Sequence, residues 1–343
     1  MKKITEIPFF GSFLFLFFGL IAGYFIDGFR GVWIVALLSV LEISLSIDNA
    51  VVNAKILENW NQKWQRIFLI FGLPIAVFGM RLLFPILIVA LATGMGSFAV
   101  LDLALENPEG YAHLLEGVHH QVAAFGGMFL LMVFFHFFID TRKNNHWIEK
   151  LEKPLTKLGQ IQAVEAALAL LILITVSGML DTKESIECLT AGLWGLITYI
   201  FSKGIGSILG GSKGENTSPI IRQGIAGFLY LEILDASFSF DGVLGAFALS
   251  NNLFIIAIGL GVGAIFVRSL TITLVEKKTL TTYRYLEHGA FWAIGALAIL
   301  MLLGVVQEIP EAVTGLIGAI LIGASFFHSL QEKKKFSSVQ SKK

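Results

Sequence analysis

Apolar runs of about 20 residues, long enough to cross a bilayer, recur along the whole chain, and no other feature constrains the fold as strongly. Hydropathy marks them at residues 9–27, 32–56, 66–92, 121–140, 161–180, 187–208, 220–248, 252–275, 288–306 and 311–329. Only 15% of the 343 residues are charged and mean hydropathy is +0.77, whereas soluble domains carry about 25% charged residues. Inside hydrocarbon the backbone must satisfy its own hydrogen bonds, which long apolar runs do as helices. The expected fold class is all-α, a polytopic membrane protein of about ten transmembrane helices. Lys2 and Lys3 precede the first run, but no small-residue cleavage pattern follows it, so it is expected to stay as a span.

The loops give an orientation, because basic residues concentrate on the cytoplasmic side. With ten spans and an inside N-terminus, the inside segments hold 21 of the 25 Lys and Arg. The outside loops hold Arg30 and Lys183, while Arg81 and Arg268 lie within spans. Both termini are expected in the cytoplasm, with the chain multi-pass in the inner (plasma) membrane and the lipid bilayer as its first partner. A net charge of zero gives no argument for nucleic acid. The single cysteine, Cys188, excludes an intrachain disulfide and any multi-cysteine metal site within one chain.

Against this background, residues 42–49 stand out. Glu42-Ile-Ser44-Leu-Ser46-Ile-Asp48-Asn49 recurs in span seven as Asp235-Ala-Ser237-Phe-Ser239-Phe-Asp241-Gly242. One span later in each half an arginine appears, Arg81 and Arg268. Span two runs outside to inside and span seven the reverse, so the halves read as two five-helix repeats of inverted topology. Such repeats build transporters with a site near the midplane. The chain then divides into residues 1–160, the first repeat region with a charged cytoplasmic loop, residues 161–330, the second repeat region, and a cytoplasmic tail at 331–343. Span five, at 161–180, belongs to the first repeat. The tail, and the Gly- and Ser-rich stretch 202–219, read as flexible.

Charges in a bilayer core are costly. Glu42, Asp48, Glu232, Asp235 and Asp241 outnumber Arg81 and Arg268 by three. Arginine pairing that fixes helix packing explains two of the acids and leaves a surplus. A cation explains the rest. Glu42, Ser46 and Asn49 share one helical face, as do Glu232 and Asp235. In a regular helix Asp48 points about 120° away from Glu42, as Asp241 does from Asp235. Either facing helices offer different members, or the Ser-x-Ser segments unwind and add carbonyls. The expected metal ligands are Glu42, Asp48, Asn49, Glu232, Asp235 and Asp241. Ser44, Ser46, Ser237, Ser239, Arg81 and Arg268 support them. An all-oxygen set suits Mg²⁺, Ca²⁺ or Mn²⁺ over Cu⁺ or Zn²⁺.

At these residues the sequence resembles the TerC-like membrane proteins, relatives of the LysE-type transporters, and within them a branch catalogued as a domain of unknown function. The resemblance rests on LEISLSIDNAVVNA, FGMRLLFPILIV, AFGGMFLLMVFFHFF, FLYLEILDASFSFDGVLGAF, GLGVGAIFVRSLTI and YLEHGAFWAIGAL, which lie between Leu41 and Leu297, and it extends over roughly residues 9 to 329. It implies manganese export, or metal supply to exported enzymes, with the acids above as the metal site. Gly242 stands where many relatives carry Ser or Asn. The expected function is export of a divalent cation, Mn²⁺ first among the candidates, carried as cargo with no tightly bound cofactor and no enzymatic activity. Rival readings are a transporter of protons, sodium or an amino acid, and a non-transporting scaffold that hands metal to membrane or secreted metalloenzymes.

Other features carry weaker signals. His113, Glu116 and His120 share a face if the loop at 93–121 ends in a helix, which would permit metal capture. Glu165, Glu287 and His288 lie at span ends, and His136 reads as a packed histidine. Gly259, Gly261 and Gly263 read as helix-packing positions, since no strand–helix context for nucleotide binding surrounds them.

Overall fold

A computed structural model describes residues 9–143, 145–209, 224–307 and 309–340. Among them every regular element is helical. In chain order these are α1 (Phe10–Leu45), α2 (Ile47–Glu58) and α3 (Gln62–Pro74), which runs into a π-helical stretch (Ile75–Leu83) and α4 (Phe84–Thr93). Then come α5 (Ser97–Glu106), α6 (Pro108–Gly117), α7 (His119–Ile139), α8 (Glu149–Leu158), α9 (Val164–Ser177) and α10 (Thr182–Leu209). The second half holds α11 (Ile225–Leu249), α12 (Leu253–Glu276), the short α13 (Thr279–Thr282), α14 (Leu286–Gly304) and α15 (Glu311–Gln340).

Helices overlie every expected segment. Among the described residues seven stretches are long and apolar enough to cross a membrane, namely α1, the α3–α4 run, α7, α10, α12, α14 and α15. The chain is thus a helical protein of multi-pass membrane type. Four expected spans read differently. α9 is apolar but has only 14 residues. α11 has the length, 25 residues, but carries Glu232, Asp235 and Asp241. α1 contains what the sequence suggested were span one and most of span two, and it is not straight: Asp27 and Gly28 leave helical geometry. Gly28 takes φ +58°, ψ −144°, a conformation open essentially to glycine. Past that turn the arms touch backbone to backbone, and a Cβ on Gly31 would lie 2.1 Å from the Gly23 carbonyl oxygen.

α7 forms the axis of the bundle. Its residues from Val122 to Ile139 are almost all buried, against α10, α14, α9 and α11. Phe137 and Phe291 stack there with centroids 3.7 Å apart. A second core joins α1, α4, α5, α6, α11 and α12 around Leu38, Val89, Tyr111 and Ile256. The glycines of α12 serve close packing, as the sequence suggested. Cβ atoms on Gly259 and Gly263 would sit 2.6 Å from Leu38 Cβ and 2.5 Å from Glu42 Cβ, so α12 lies directly against the arm of α1 that carries Glu42. The Ser39 hydroxyl adds a bond to the Gly259 carbonyl at 3.0 Å.

Two regions are more ordered than their composition suggested. The charged loop after α7 folds into α8 and buries Glu152, which accepts from Trp147 N, Ile148 N and Trp292 Nε1 at 2.9, 3.1 and 3.0 Å. The tail continues α15 as far as Gln340, since Gln-Glu-Lys-Lys-Lys contains good helix formers and neither Gly nor Pro. Residues 210–223 of the Gly- and Ser-rich stretch lie outside the described residues.

Candidate functional site

The first half-site forms where α1 ends. Ser46 departs from helical geometry (φ −109°, ψ 17°), and α2 resumes at Ile47. Ser46 Oγ donates to Glu42 Oε1 at 2.8 Å, and Arg81 Nη2 donates to the same oxygen. Arg81 comes from the π-helical stretch, a rare geometry that recurs at functional sites. Its Nη1 donates to the carbonyl of Ala76 in the same stretch, so both terminal nitrogens are occupied.

The second half-site is built on α11 and α12. Asn53 Nδ2, from α2, donates to Asp235 Oδ1 at 2.9 Å. Arg268 Nη2 faces Asp235 Oδ2 at 3.6 Å, an ion-pair distance too long for a hydrogen bond. The Arg268 guanidinium lies 3.9 Å above the Phe68 ring, a cation–π arrangement. α11 runs unbroken through Ser237 and Ser239, so only the first copy of the repeated motif is interrupted.

The two half-sites face one cavity. Glu42, Ser46, Asn49, Asn53, Arg81, Asp235, Ser239, Arg268 and Thr271 line it, together with Ala76, Met80, Phe238, Ala264 and Val267. About 20 Å³ is open to the centre of a water-sized sphere, enough for a water or a small cation. Buried polar atoms normally have partners. Here Asn49 Oδ1, Asn53 Oδ1 and Ser239 Oγ have none. Three oxygens are thus left facing or bordering a polar void beside two carboxylates.

Seven of the expected residues therefore line one cavity: Glu42, Ser46, Asn49, Arg81, Asp235, Ser239 and Arg268. Four lie off it. Asp48 takes the second position of α2, where its Oδ1 accepts from Asn49 N at 2.9 Å, and it faces Gly318 of α15. There it satisfies an amide of the helix start. Glu232 faces Gly72 of α3 and Arg268. Ser44 is exposed and bonds to Val40 O, and Ser237 bonds to Ile233 O. The side chain of Asp241 lies outside the described residues. Among the described residues no three His, Cys, Asp or Glu converge as a metal cluster. The cavity instead mixes two arginine-paired carboxylates with amides and hydroxyls. Asn53 was missed, although it continues the face of Glu42, Ser46 and Asn49 by one more turn. Gly242 borders the site too, since a Cβ there would lie 3.2 Å from Glu42 Oε2.

The description "Protein of unknown function (DUF475)" matches residues 47–336. The chain belongs to the DUF475 family. No curated protein and no solved structure matches it. The DUF475 match covers every cavity residue except Glu42 and Ser46, which α1 and the break after it supply from outside the matched stretch.

The weaker candidates resolve as ordinary pairs. His113 lies 3.6 Å from Glu116, both exposed, while His120 bonds Glu187 at 2.8 Å, so the three do not meet. His136 is buried, 3.2 Å from Glu165 and 3.3 Å from Lys203 Nζ. Glu287 pairs with Lys55 at 2.8 Å, and His288 Nε2 contacts the Asn145 carbonyl at 2.9 Å.

Proposed function

We propose that this DUF475 protein is an inner-membrane transporter of a divalent cation, with manganese first among candidates and export the direction. The observation that carries the reading is the cavity. Two carboxylates, two amide oxygens without partners and a free hydroxyl surround a small buried void. Oxygen donors of this kind suit hard cations. A bare cation there replaces lost hydration with fixed protein dipoles. The motif resemblance to TerC-like proteins supports the same cargo. The protein is not an enzyme in this reading, holds no resident cofactor and needs no nucleic acid. Metalloenzyme partners belong to the scaffold rival.

The reading includes ten crossings in two inverted five-helix repeats, with both termini cytoplasmic. Its support is the pairing of like with like: Glu42 with Arg81 in one half, Asp235 with Arg268 in the other. The turn at Asp27–Gly28 permits two crossings within α1, and α9 and α11 supply the remaining two.

A second reading has one observation in its favour. Arg268 offers both Nη atoms without hydrogen-bond partners, which suits a solute carrying a carboxylate, such as an amino acid. Proteoliposome flux separates the two. The expected result is Mn²⁺ uptake by the wild type that falls to background in Asp235→Asn and Glu42→Gln. Equal Mn²⁺ flux in all three proteins removes the site. Amino-acid flux without Mn²⁺ flux selects the second reading.

A further inference from the structure

The two arginines of the site are not equivalent. Arg81 is tied down, one Nη to Glu42 and the other to the Ala76 carbonyl. Arg268 is equally buried, yet neither of its Nη atoms makes a hydrogen bond, and it touches Asp235 only at 3.6 Å. Nearby lies a buried carboxylate with the complementary deficit. Both oxygens of Glu232 lack partners, and the residue is only 5% exposed. Glu232 precedes Asp235 by three residues on α11, so both acids face the same side. A Cβ on Gly72 would lie 2.8 Å from Glu232 Oε1 and 2.9 Å from Arg268 Nη2. That places the two groups within ~6 Å of each other, close enough for a strong interaction. The absence of a side chain at Gly72 keeps the space between them open.

We propose that Arg268 is a resident counter-cation that leaves Asp235 for Glu232 when a divalent cation enters the cavity. This rests on the cation-transport reading above. Glu232 is then a positioning residue, and its carboxylate receives the displaced guanidinium. The flat face of Phe68 gives the guanidinium a surface to slide on without a directional bond to break. After the exchange the entering cation faces Asp235 and the guanidinium faces Glu232, so the carboxylate that lacked a partner gains one. Arg81, bonded twice, holds Glu42 in place throughout.

The test is equilibrium binding of Mn²⁺ to the purified full-length protein in detergent, on wild type, Glu232→Gln, Arg268→Gln and the double variant. Size-exclusion profile and thermal stability report folding. Without its second seat Arg268 must lose a partner, so Glu232→Gln should weaken binding by about tenfold or more. Arg268→Gln removes the competitor for Asp235, so it should bind Mn²⁺ more tightly than wild type. The double variant should bind better than Glu232→Gln. Its gain over Glu232→Gln should exceed the gain of Arg268→Gln over wild type; if Glu232 is itself a ligand, or only packs, the two gains are equal, and the exchange is overturned. Weaker binding in Arg268→Gln overturns it independently, should the Glu232 variants fail to fold. A wild type that binds no divalent cation overturns the transport reading, and the exchange with it.

Discussion

Replacing Arg81 with Gln should destabilise the protein far more than a surface substitution does. The Arg81 and Glu42 side chains are 5% and 4% exposed, so loss of the guanidinium leaves a carboxylate without its counter-charge in the bundle. Breaking a buried pair from one side costs about 3–5 kcal/mol. The Ala76 carbonyl also loses its donor. Two features reduce the loss: Ser46 still donates to Glu42, and the cavity has room for a water. We expect about 3 kcal/mol, the lower end of the range. Glu42→Gln on the Arg81→Gln background should recover about 2 kcal/mol, since no buried charge then remains unpaired. Reversible unfolding in mixed micelles, followed through the six tryptophans, measures all corners of the cycle. A loss below about 1 kcal/mol for Arg81→Gln, with additive effects in the double variant, would refute the buried pair as the element that holds this half-site.

Three further predictions follow from packing and charge. Gly263→Ala should cost about 1–3 kcal/mol by overpacking, because the new methyl would lie 2.9 Å from the Ser39 carbonyl, a backbone atom that cannot swing aside; unfolding measurements that match wild type would contradict the close contact of α1 and α12. Glu152→Ala removes the acceptor for Trp147 N, Ile148 N and Trp292 Nε1, so hydrogen exchange should quicken across residues 145–158 while α7 stays protected. Burial beside the Phe137 ring pushes the Lys143 ammonium down to about 6, outweighing the pull of Glu287, Glu152 and Asp140. The unfolded chain therefore binds one more proton than the folded chain from about pH 6 up to the ordinary lysine value. Stability should rise with pH across that window, by up to ~1.4 kcal/mol per unit, and stay at its lowest below it. Lys143→Met should flatten this rise, and an unchanged slope would count against the burial of that amine.

Much of the fold was legible because lipid leaves so few options. Runs of apolar residues had to be helices, and their bounds follow from composition, as α7 and α12 illustrate. Gly259, Gly261 and Gly263 were readable as close-packing positions, but not their neighbours: the first and last meet α1 while Gly261 meets Val77 of the π-helical stretch. The site was half legible. Glu42, Ser46 and Asn49 share a face, and that face does line the cavity. Asp48 was harder, because the sequence does not show that α1 stops at Leu45 and that an acid three residues on serves the start of a new helix. Glu232 was grouped with Asp235 by helical spacing alone, and only tertiary packing shows it turned toward Gly72. The π-helical stretch around Arg81 left no recognisable pattern, since widening a turn is decided by what the side chains reach. The pairing of the two half-sites across one cavity rests on contacts hundreds of residues apart, though the repeated motif hinted at it.

The break at Ser46 has a mechanical consequence. The arm of α1 before it is clamped to α12 by contacts with no slack, and α2 beyond it is packed into the main core through Val51, Val52, Ala54, Ile56 and Leu57 and held at Asn53 by Asp235 and at Lys55 by Glu287. Ser46 is the fulcrum from which the direction of α2 is set, and packing along the helix fixes that direction. Asn49 sits three residues from the fulcrum and Lys55 nine, or about 4.5 Å and 13.5 Å along the axis. A tilt that displaces Lys55 by a given distance shifts Asn49 by about a third as much. The same ratio serves precision: pairing Lys55 with Glu287 at the far end holds Asn49, among the oxygens of the cavity, about three times more closely than it holds Lys55 itself.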